Sequence, residues 1–487
     1  MEKANFTEPN FKTYIMFKYS MFVLAVVTLI GCDTQNLSRD YTISGRVEGD
    51  LSKFKGITLT SFDGLEQKIA LDAEGSFSHP LSDKGAIYYF FSGTDSKMIY
   101  AHDSGKLEVV VRQNEKSRWE PYFSGDGAKD IDFIEKVSEA LATIADDIMQ
   151  GEEVYDYVRL SEEEYIETVE EFRNKTLELI ENTDDEVSEE VKAAMIADTK
   201  ASHLYLYELY INLRRMINLD FDKNGKIGTA LQEDDPDNIR IKDFMVSPVY
   251  RQLVNGHWRS KASQKAKAEN TNKRVVFNKL VHEEIEDEKV RNAMVFNNTK
   301  RFLGRIDDVD VRTDLKNSFL EASSNPMQID FVNDMFAKLT KISKGSPSPT
   351  FVNYESHGGE MISLADLKGH NVYIDFWATW CGPCKREFPH LKKLEEKYHD
   401  SNITFVGVSL DKESKKEAWR AMVEEEELLG IQLFADNSFD SAFADAYQVS
   451  AIPRFVLIDK EGKIVNANAP KPSNTEEIDR LFETLEL

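Results

Sequence analysis

Residues 375–389 read DFWATWCGPCKREFP, and this stretch decides the fold of the C-terminal part of the chain. It holds two of the three cysteines, Cys381 and Cys384, separated by Gly-Pro. An apolar run typical of a buried strand precedes the cysteines, and an amphipathic helical pattern follows them. A Cys-X-X-Cys pair between a strand and a helix is typical of a redox centre, whereas a zinc site normally needs a second pair of ligands. The stretch therefore predicts a redox-active dithiol.

The residues after this stretch continue the alternation of strands and helices. ITFVGVSL, from residue 403, has the pattern of a buried strand, and RFVLIDKEGKIVNA, residues 454–467, predicts a hairpin that turns at residues 460–462. AWRAMVEEEEL and TEEIDRLFETLEL are amphipathic and predict helices. The segment KGSPSPTF, residues 344–351, marks the start of this α/β domain because its prolines interrupt a helix. We place the domain at residues 346–487.

The earlier part of the chain reads as two further domains, as expected for a length of 487 residues. Residues 41–125 contain short alternating strands separated by Gly and Asp turns, which predicts a small antiparallel, β-sandwich-like domain. Residues 126–343 carry apolar side chains with a helical period and predict an all-α domain. Ser161 and Glu164 have the spacing of a capping box at one of the helix starts.

One segment of the helical region resembles part of a calcium-binding loop. In DFDKNG, residues 220–225, Asp220, Asp222 and Asn224 occupy the first ligand positions of an EF-hand. The twelfth position is Leu231, where such a loop needs a bidentate glutamate. We therefore expect a plain Asp/Asn-Gly turn, with calcium binding as the alternative, and we assign no metal ligand in the chain.

The composition is that of a soluble globular protein with a strong excess of acidic residues. Lys and Arg total 60 against 86 for Asp and Glu, which gives a formal net charge of -26. A chain of this charge is repelled by phosphate backbones, so we expect no nucleic-acid partner.

The third cysteine lies at the end of an export signal. Lys18 is followed by an apolar run over residues 21–31, which is too short to span a bilayer as a helix. The run ends in Leu-Ile-Gly-Cys at Cys32, which resembles the bacterial lipoprotein cleavage box. We predict a lipoprotein signal peptide over residues 1–32 and a lipid on Cys32, with an ordinary secretory signal as the alternative. Cys381 and Cys384 would then be the only free thiols, exported to an oxidising compartment.

The motifs of the last third of the chain resemble a known family. FWATWCGPCK together with AIPRFVLIDKEG resembles the thioredoxin superfamily. CGPCKREFP, the preceding PSPTF and the lipoprotein signal resemble the membrane-anchored TlpA/ResA-like thiol–disulfide oxidoreductases of bacteria. This resemblance covers residues 345–487 and implies a C-terminal α/β thioredoxin fold. The β domain and helical domain before it resemble the N-terminal extension that some lipoprotein members carry.

The resemblance also implies roles for the residues around the dithiol. Cys381, at a helix N-terminus that favours its thiolate, would be the attacking nucleophile, and Cys384 would close the disulfide. Asp375 matches the buried acid that relays a proton beneath the dithiol. Glu387 matches the acid that TlpA/ResA-like members use nearby, although a solvated helix residue is the alternative. Which of the two acids serves stays open.

A second group of residues is expected to form the substrate-binding surface. Pro453 matches the family's cis-proline, which would expose the backbone of Ile452 to an extended substrate. Trp380 would line this surface, as would Gly382 and Pro383 between the cysteines. Trp377 matches a second flanking aromatic residue that belongs to the core.

These features together predict a membrane-anchored enzyme that reduces protein disulfides without a cofactor other than the Cys381–Cys384 pair. Gly-Pro between the cysteines is the dipeptide of reducing thioredoxins, whose potentials lie near about -270 mV. We expect protein thiol or disulfide substrates, a membrane electron donor, and a location in the bacterial cell envelope that faces the periplasm or the exterior. The alternatives are a disulfide oxidase or isomerase, and a partner-binding lipoprotein that uses the thioredoxin fold as a docking module.

Overall fold

The computed structural model describes residues 41–92, 95–115, 117–149, 157, 159–183, 186–217, 219–222, 224–233, 237–306 and 308–485. The predicted signal peptide, with Cys32, lies outside these residues. The described chain divides into two compact units. The first comprises residues 41–298 and 321–324, and the second comprises residues 299–320 and 325–485.

The first unit begins with eight strands in two four-stranded sheets. Their order is β4-β1-β7-β8 in one sheet and β3-β2-β5-β6 in the other. The strands are β1 (Tyr41–Glu48), β2 (Ile57–Thr60), β3 (Glu66–Ile69), β4 (Ser76–Leu81), β5 (Ile87–Ser92), β6 (Asp95–Tyr100), β7 (Gly105–Gln113) and β8 (Trp119–Gly125). The predicted β domain is therefore present.

One strand pair differs from the antiparallel arrangement predicted for this domain. β1 and β7 run parallel, in register from Tyr41 opposite Gly105 to Glu48 opposite Arg112. The remaining pairs in both sheets are antiparallel. The difference arises because alternation of apolar residues predicts a half-buried strand but carries no information about the direction of its neighbour.

Ten α-helices follow in the part of the chain that the structure describes, as the helical pattern predicts. They are α1 (Ala128–Met149), α2 (Glu162–Glu181), α3 (Glu189–Met216), α4 (Lys226–Glu233), α5 (Ile241–Val246), α6 (Pro248–Glu269), α7 (Lys273–Glu284), α8 (Glu288–Phe302), α9 (Val309–Ala322) and α10 (Pro326–Lys341). The predicted capping box of α2 is formed, with the Ser161 hydroxyl accepting from the Glu164 N–H and the Glu164 carboxylate accepting from the Ser161 N–H. Among the described helices, not one is both long and apolar enough to cross a membrane.

The second unit contains a seven-stranded mixed sheet with the order β10-β9-β13-β12-β11-β14-β15. Its strands are β9 (Tyr354–Ser356), β10 (Met361–Ile362), β11 (Asn371–Trp377), β12 (Ile403–Ser409), β13 (Ile431–Phe434), β14 (Arg454–Ile458) and β15 (Ile464–Asn466). Its further helices are α11 (Gly382–Lys397), α12 (Lys416–Glu425), α13 (Ala442–Ala446) and α14 (Thr475–Phe482). β11, β12 and β13 are parallel, and β14 is antiparallel to β11. This is the α/β thioredoxin fold that the C-terminal motifs predict.

The centre of this sheet is buried on both faces. All seven residues of β11 are buried, as expected from its continuous apolar run. On one face Tyr373 of β11 packs with Phe405 and Phe455 of the neighbouring strands and with Phe482 of α14. Asp375 lies two residues after Tyr373 and therefore points to the same face. The sheet thus places a carboxyl group inside the apolar layer beneath α11.

Candidate active site

The two cysteines lie where β11 leads into α11. Cys381 is the N-cap of α11, with φ -81° and ψ 95°, and its Sγ accepts a hydrogen bond from the Cys384 N–H at 3.1 Å. The structure joins Cys381 and Cys384 in a disulfide whose Cα atoms are 5.3 Å apart. Cys381 is 3% exposed and Cys384 is fully buried, whereas Gly382 is exposed and Pro383 is half-buried. Cys381 is therefore the sulfur nearer to solvent, and a helix N–H group points at it.

The loop before Cys381 is held by a buried acid that sequence reasoning missed. Asp411 accepts hydrogen bonds from the Thr379 N–H and the Thr379 hydroxyl, each at 2.8 Å, and from the Ser409 hydroxyl at 3.0 Å. Asp411 follows β12, the parallel neighbour of β11, so it lies at the same edge of the sheet as the cysteines. The sequence feature that could have identified Asp411 is its position directly after a predicted buried strand, at the sheet edge where functional residues often lie. The Cys381 N–H also donates to the Ala378 carbonyl at 3.0 Å.

The peptide bond between Ile452 and Pro453 is cis. Pro453 immediately precedes β14, and Arg454 of β14 pairs with Phe376 of β11. Because the two strands are antiparallel, the cis-proline lies at the end of the sheet where β11 leads towards Cys381. Ile452 is buried and Pro453 is half-buried.

Asp375 is a buried carboxyl with an unsatisfied oxygen. It lies between Gly407 of β12 and Phe455 of β14 and is 3% exposed. Its Oδ1 has no hydrogen-bond partner among the described residues. Burial raises the pKa of Asp375 well above its usual value, and the negative charges of Glu387 and then Glu395 raise it further. A raised pKa means that the Asp375 carboxylate binds a proton more readily than an exposed aspartate does.

Glu387 has a different environment, although it is also buried. One of its carboxylate oxygens accepts from the Ser473 N–H and the other from the Ser473 hydroxyl, both at 2.9 Å. These bonds tie α11 to the segment that precedes α14. The alternative of a solvated helix residue is therefore wrong for Glu387, which is only 7% exposed. Its two oxygens are already used as acceptors, whereas one oxygen of Asp375 is not.

The two tryptophans of the motif differ sharply in exposure. Trp380, directly before Cys381, is 60% exposed, and its ring lies 6.2 Å from that of Phe439. Trp377 is 1% exposed and packs edge-on against Phe388 of α11. The exposed Trp380 ring and the half-buried Phe439 ring thus form an aromatic pair beside the dithiol, and Trp377 is part of the core.

The described residues contain no group of three or more His, Cys, Asp or Glu side chains arranged to hold a metal ion. In the segment that resembles a calcium loop, the Asp222 carboxylate accepts from the Asn224 N–H at 2.9 Å, and the Gly225 N–H donates to the Asp222 carbonyl at 3.2 Å. These bonds form a local Asx turn that leads into α4.

Comparisons with known proteins agree with this geometry. A family model described as Redoxin matches residues 343–484. The thiol-disulfide oxidoreductase ResA of Bacillus subtilis (strain 168) is 38% identical over 133 residues, which cover 27% of this chain and 71% of that protein. ResA of Halalkalibacterium halodurans is 29% identical over 160 residues, covering 31% of this chain and 82% of that protein.

Solved structures with similarity to this chain carry related names. The thioredoxin domain of a thiol-disulfide oxidoreductase from Bacteroides vulgatus is 27% identical with a TM-score of 0.27, covering 30% of this chain and 99% of that one. A thiol:disulfide interchange protein from Bacteroides sp. is 28% identical with a TM-score of 0.26, covering 29% of this chain and 90% of that one.

The relationship to ResA spans most of the relative's length, and the Redoxin match includes the strand, the cysteine pair and the helix described above. The chain therefore belongs to the TlpA/ResA-like thiol–disulfide oxidoreductases of the thioredoxin superfamily, and its enzymatic activity is thiol–disulfide exchange.

Proposed function

We propose that this chain is a lipid-anchored reductase of protein disulfides that works through the Cys381–Cys384 dithiol. The observation that carries the proposal is the position of Cys381 as the N-cap of α11, with its sulfur accepting the Cys384 N–H. This contact and the helix dipole favour the thiolate form, which is the nucleophile in disulfide exchange.

The reaction has two exchange steps. In the reduced enzyme the Cys381 thiolate attacks one sulfur of the substrate disulfide, which forms a mixed disulfide and releases the other sulfur as a thiol after protonation. Cys384 then loses its proton and attacks the Cys381 sulfur, which releases the second substrate thiol and leaves the Cys381–Cys384 disulfide. The substrate gains two electrons and the enzyme loses two. A membrane dithiol donor returns the enzyme to its reduced form.

The second step needs a group that takes the proton of Cys384. We assign this role to Asp375, because one of its buried oxygens is free of hydrogen bonds within the described chain while both oxygens of Glu387 accept from Ser473. Glu387 then acts as a nearby negative charge that raises the pKa of Asp375. An acid–base group inside the enzyme typically contributes about 10²- to 10⁴-fold to the rate of such a step.

The substrate is an extended polypeptide segment that lies along the edge formed by the cis-proline. The backbone of Ile452, ahead of Pro453, supplies the main-chain contact, while the exposed ring of Trp380 and the turn at Gly382 and Pro383 flank the attacking sulfur. An aromatic surface and a backbone edge recognise peptide shape rather than one side chain, so the substrate class is unfolded or flexible protein disulfides.

The proposed anchor is a lipid on Cys32, which would hold the enzyme to a membrane of the bacterial envelope. Support comes from the apolar run over residues 21–31 and the Leu-Ile-Gly-Cys box. Mass analysis of the N-terminus of the mature protein tests the anchor. A chain that begins with a lipid-modified Cys32 is expected, and a mature chain that retains Phe17 would contradict it.

Trapping the mixed disulfide tests the catalytic proposal. Cys384→Ser removes the resolving thiol, so the variant is expected to accumulate a Cys381-linked disulfide with a disulfide-containing peptide. Cys381→Ser should form no such adduct and should lose turnover, and Cys32→Ser in the same chain is the control that keeps turnover. An adduct that forms on Cys384 in the Cys381→Ser variant, at the rate of the unaltered enzyme, would reverse the assigned roles.

A further inference from the structure

Three buried side-chain oxygens of the second unit have no hydrogen-bond partner among the described residues. They are Asp375 Oδ1 on β11, Glu395 Oε2 on α11 and Gln432 Oε1 on β13. The three residues are between 3% and 8% exposed. Buried polar oxygens normally have hydrogen-bond partners, because each one left without a partner lowers the stability of the fold by about 1–3 kcal/mol. Three such oxygens in one unit therefore suggest a functional role.

The sheet register places two of these residues in one row. Asp375 pairs with Gly407 of β12, and Gly407 pairs with Gln432 of β13. Gly407 has no side chain, and a Cβ placed on it would lie 2.8 Å from the Gln432 Cδ and would overlap its Oε1. The Gln432 amide therefore fills the side-chain position of Gly407, directly beside Asp375. Its nitrogen is used, since it donates to the Leu429 carbonyl at 2.7 Å.

Glu395 reaches the same face of the sheet from α11. Its Oε1 lies 3.0 Å from the Cβ position of Gly430, two residues before Gln432, and the same position lies 2.6 Å from the carbonyl oxygen of Phe405 on β12. The packing of Leu391 and Leu394 against Tyr373 and Phe405 places this turn of α11 over β11 and β12. Glu395 thus enters the layer that contains Asp375.

We propose that Asp375, Gln432 and Glu395 form one buried polar row that holds a single negative charge on Glu395, and that this row takes up the proton released by Cys384. Glu395 is a positioning residue, because it acts through Asp375 and does not touch the reacting sulfurs. In the resolving step Asp375 takes up the proton of Cys384 at its free Oδ1 while the proton that Asp375 already held passes to Glu395, so both carboxyls are neutral afterwards. The proposal rests on the proton-accepting role of Asp375 proposed above.

The charges around the two carboxyls are consistent with this order of ionisation. Burial raises the pKa of Glu395 to about 7, and the nearby Lys392 opposes the increase. Burial also raises the pKa of Asp375, the charges of Glu387 and Glu395 act in the same direction, and Tyr373 is a further titratable neighbour. The charge of Glu395 is among the causes that raise the pKa of Asp375, whereas Asp375 is not among those that act on Glu395, which fits a row in which Glu395 is ionised while Asp375 is neutral.

Infrared titration of the full chain, with the disulfide intact, measures the two carboxyls without any turnover. The band of the protonated carboxyl that is lost in Glu395→Gln belongs to Glu395, and the band that is lost in Asp375→Asn belongs to Asp375. Glu395→Gln is expected to lower the midpoint of the Asp375 band by about one pH unit, since it removes a like charge. Asp375→Asn should leave the Glu395 midpoint unchanged, because Asp375 is neutral while Glu395 titrates.

Glu396→Gln is the matched control, because Glu396 is the exposed neighbour on the same helix. It should move neither midpoint. An Asp375 midpoint that stays unchanged in Glu395→Gln, or that moves equally in Glu396→Gln, would overturn the proposal. If Glu395→Gln does not fold, Glu395→Asp is used instead, because it keeps the negative charge. The Asp375 midpoint in Glu395→Asp should then equal that of the unaltered protein, and a shifted midpoint would contradict the proposed row.

The pH profile of the resolving step gives a second readout. The release of the second thiol from a small aromatic disulfide should show an inflection near the Glu395 midpoint, and this inflection should be absent in Glu395→Gln and restored in Glu395→Asp. If Asp375→Asn leaves the resolving rate unchanged while the infrared midpoints shift as expected, the charge coupling stands and the catalytic role of Asp375 fails. An unchanged inflection in Glu395→Gln would refute proton uptake by the row.

Discussion

At the scale of single residues, Asp375 on the central strand carries an electrostatic cost. A carboxyl on the central strand of a buried sheet loses hydration when the chain folds, and its charged form is disfavoured by Glu387 and Glu395 on α11. Such a residue weakens the fold, so its presence is explained by chemistry rather than by packing. Glu387 is unlike it, because Ser473 satisfies both of its oxygens.

The first residue-scale prediction concerns stability and pH. Because the folded-state pKa of Asp375 lies above its unfolded value of 3.8, the unfolded chain ionises first and the free energy of unfolding falls as pH rises above that value. The Asp375→Asn variant has no carboxyl at this position, so its free energy of unfolding does not fall for this reason as the pH rises. Urea unfolding should therefore find the variant more stable than the unaltered protein at pH 8, with the difference disappearing below pH 3.8. A variant that is equally destabilised at both pH values would contradict the assigned burial cost.

The second residue-scale prediction concerns the rate of the same variant. Asp375→Asn should slow resolution of the mixed disulfide by about 10²-fold at neutral pH, because it removes the proton acceptor. Formation of the mixed disulfide by Cys381 should change little. Rapid-quench measurement of the two steps separates them, with Ser473→Ala as a control that removes the hydroxyl hydrogen bond to Glu387 and keeps the bond from the backbone N–H. Equal slowing of both steps would point to a structural effect.

At the scale of elements, the register between β11, β12 and β13 brings Asp375, Gly407 and Gln432 side by side. Gly407 is required on β12 because a side chain there would overlap the Gln432 amide, although its backbone torsion needs no glycine. Asp411, at the end of the same strand, holds the loop that carries Cys381. β12 and the residues directly after it therefore position both the polar row and the loop that precedes Cys381.

The element-scale prediction is that Gly407→Ala destabilises the protein by about 1–3 kcal/mol, as overpacking of a buried site does. Gln432→Ala should remove the overlap, so the double variant is expected to be more stable than the sum of the two single changes allows. Gly358→Ala is the control in the same unit, since the nearest atom to its Cβ position, Ser356 Oγ, is 3.7 Å away. Additive effects in thermal unfolding would show that Gly407 and Gln432 do not interact.

These elements also show what the sequence could and could not predict. The strand, the Cys-X-X-Cys turn, the helix after it and the hairpin at residues 454–467 follow from local patterns, and the structure contains each of them. The parallel pairing of β1 with β7 was missed, because apolar alternation does not report strand direction. Asp411 and Gln432 were missed for a related reason, since they reach the site only through pairing between strands that are distant in sequence, and Glu395 reaches it only through the packing of α11 on that sheet.

At the scale of the whole molecule, the redox domain accounts for less than a third of the chain. The Redoxin match begins at residue 343, and the ResA relative of Bacillus subtilis covers 27% of the chain. The sheets β1–β8 and most of the helices lie in the first unit. This larger unit precedes the redox domain in the sequence.

The central claim is that the Cys381–Cys384 pair acts as a reductant. The most direct test is its reduction potential, measured on the full chain by equilibration with dithiothreitol and glutathione buffers, with Cys32→Ser used to remove the third cysteine. A value near that of thioredoxin, about -270 mV, is predicted and would mean that the enzyme reduces disulfides with electrons from a membrane donor. A value well above the glutathione couple would contradict the account and would mean that the enzyme forms or shuffles disulfides.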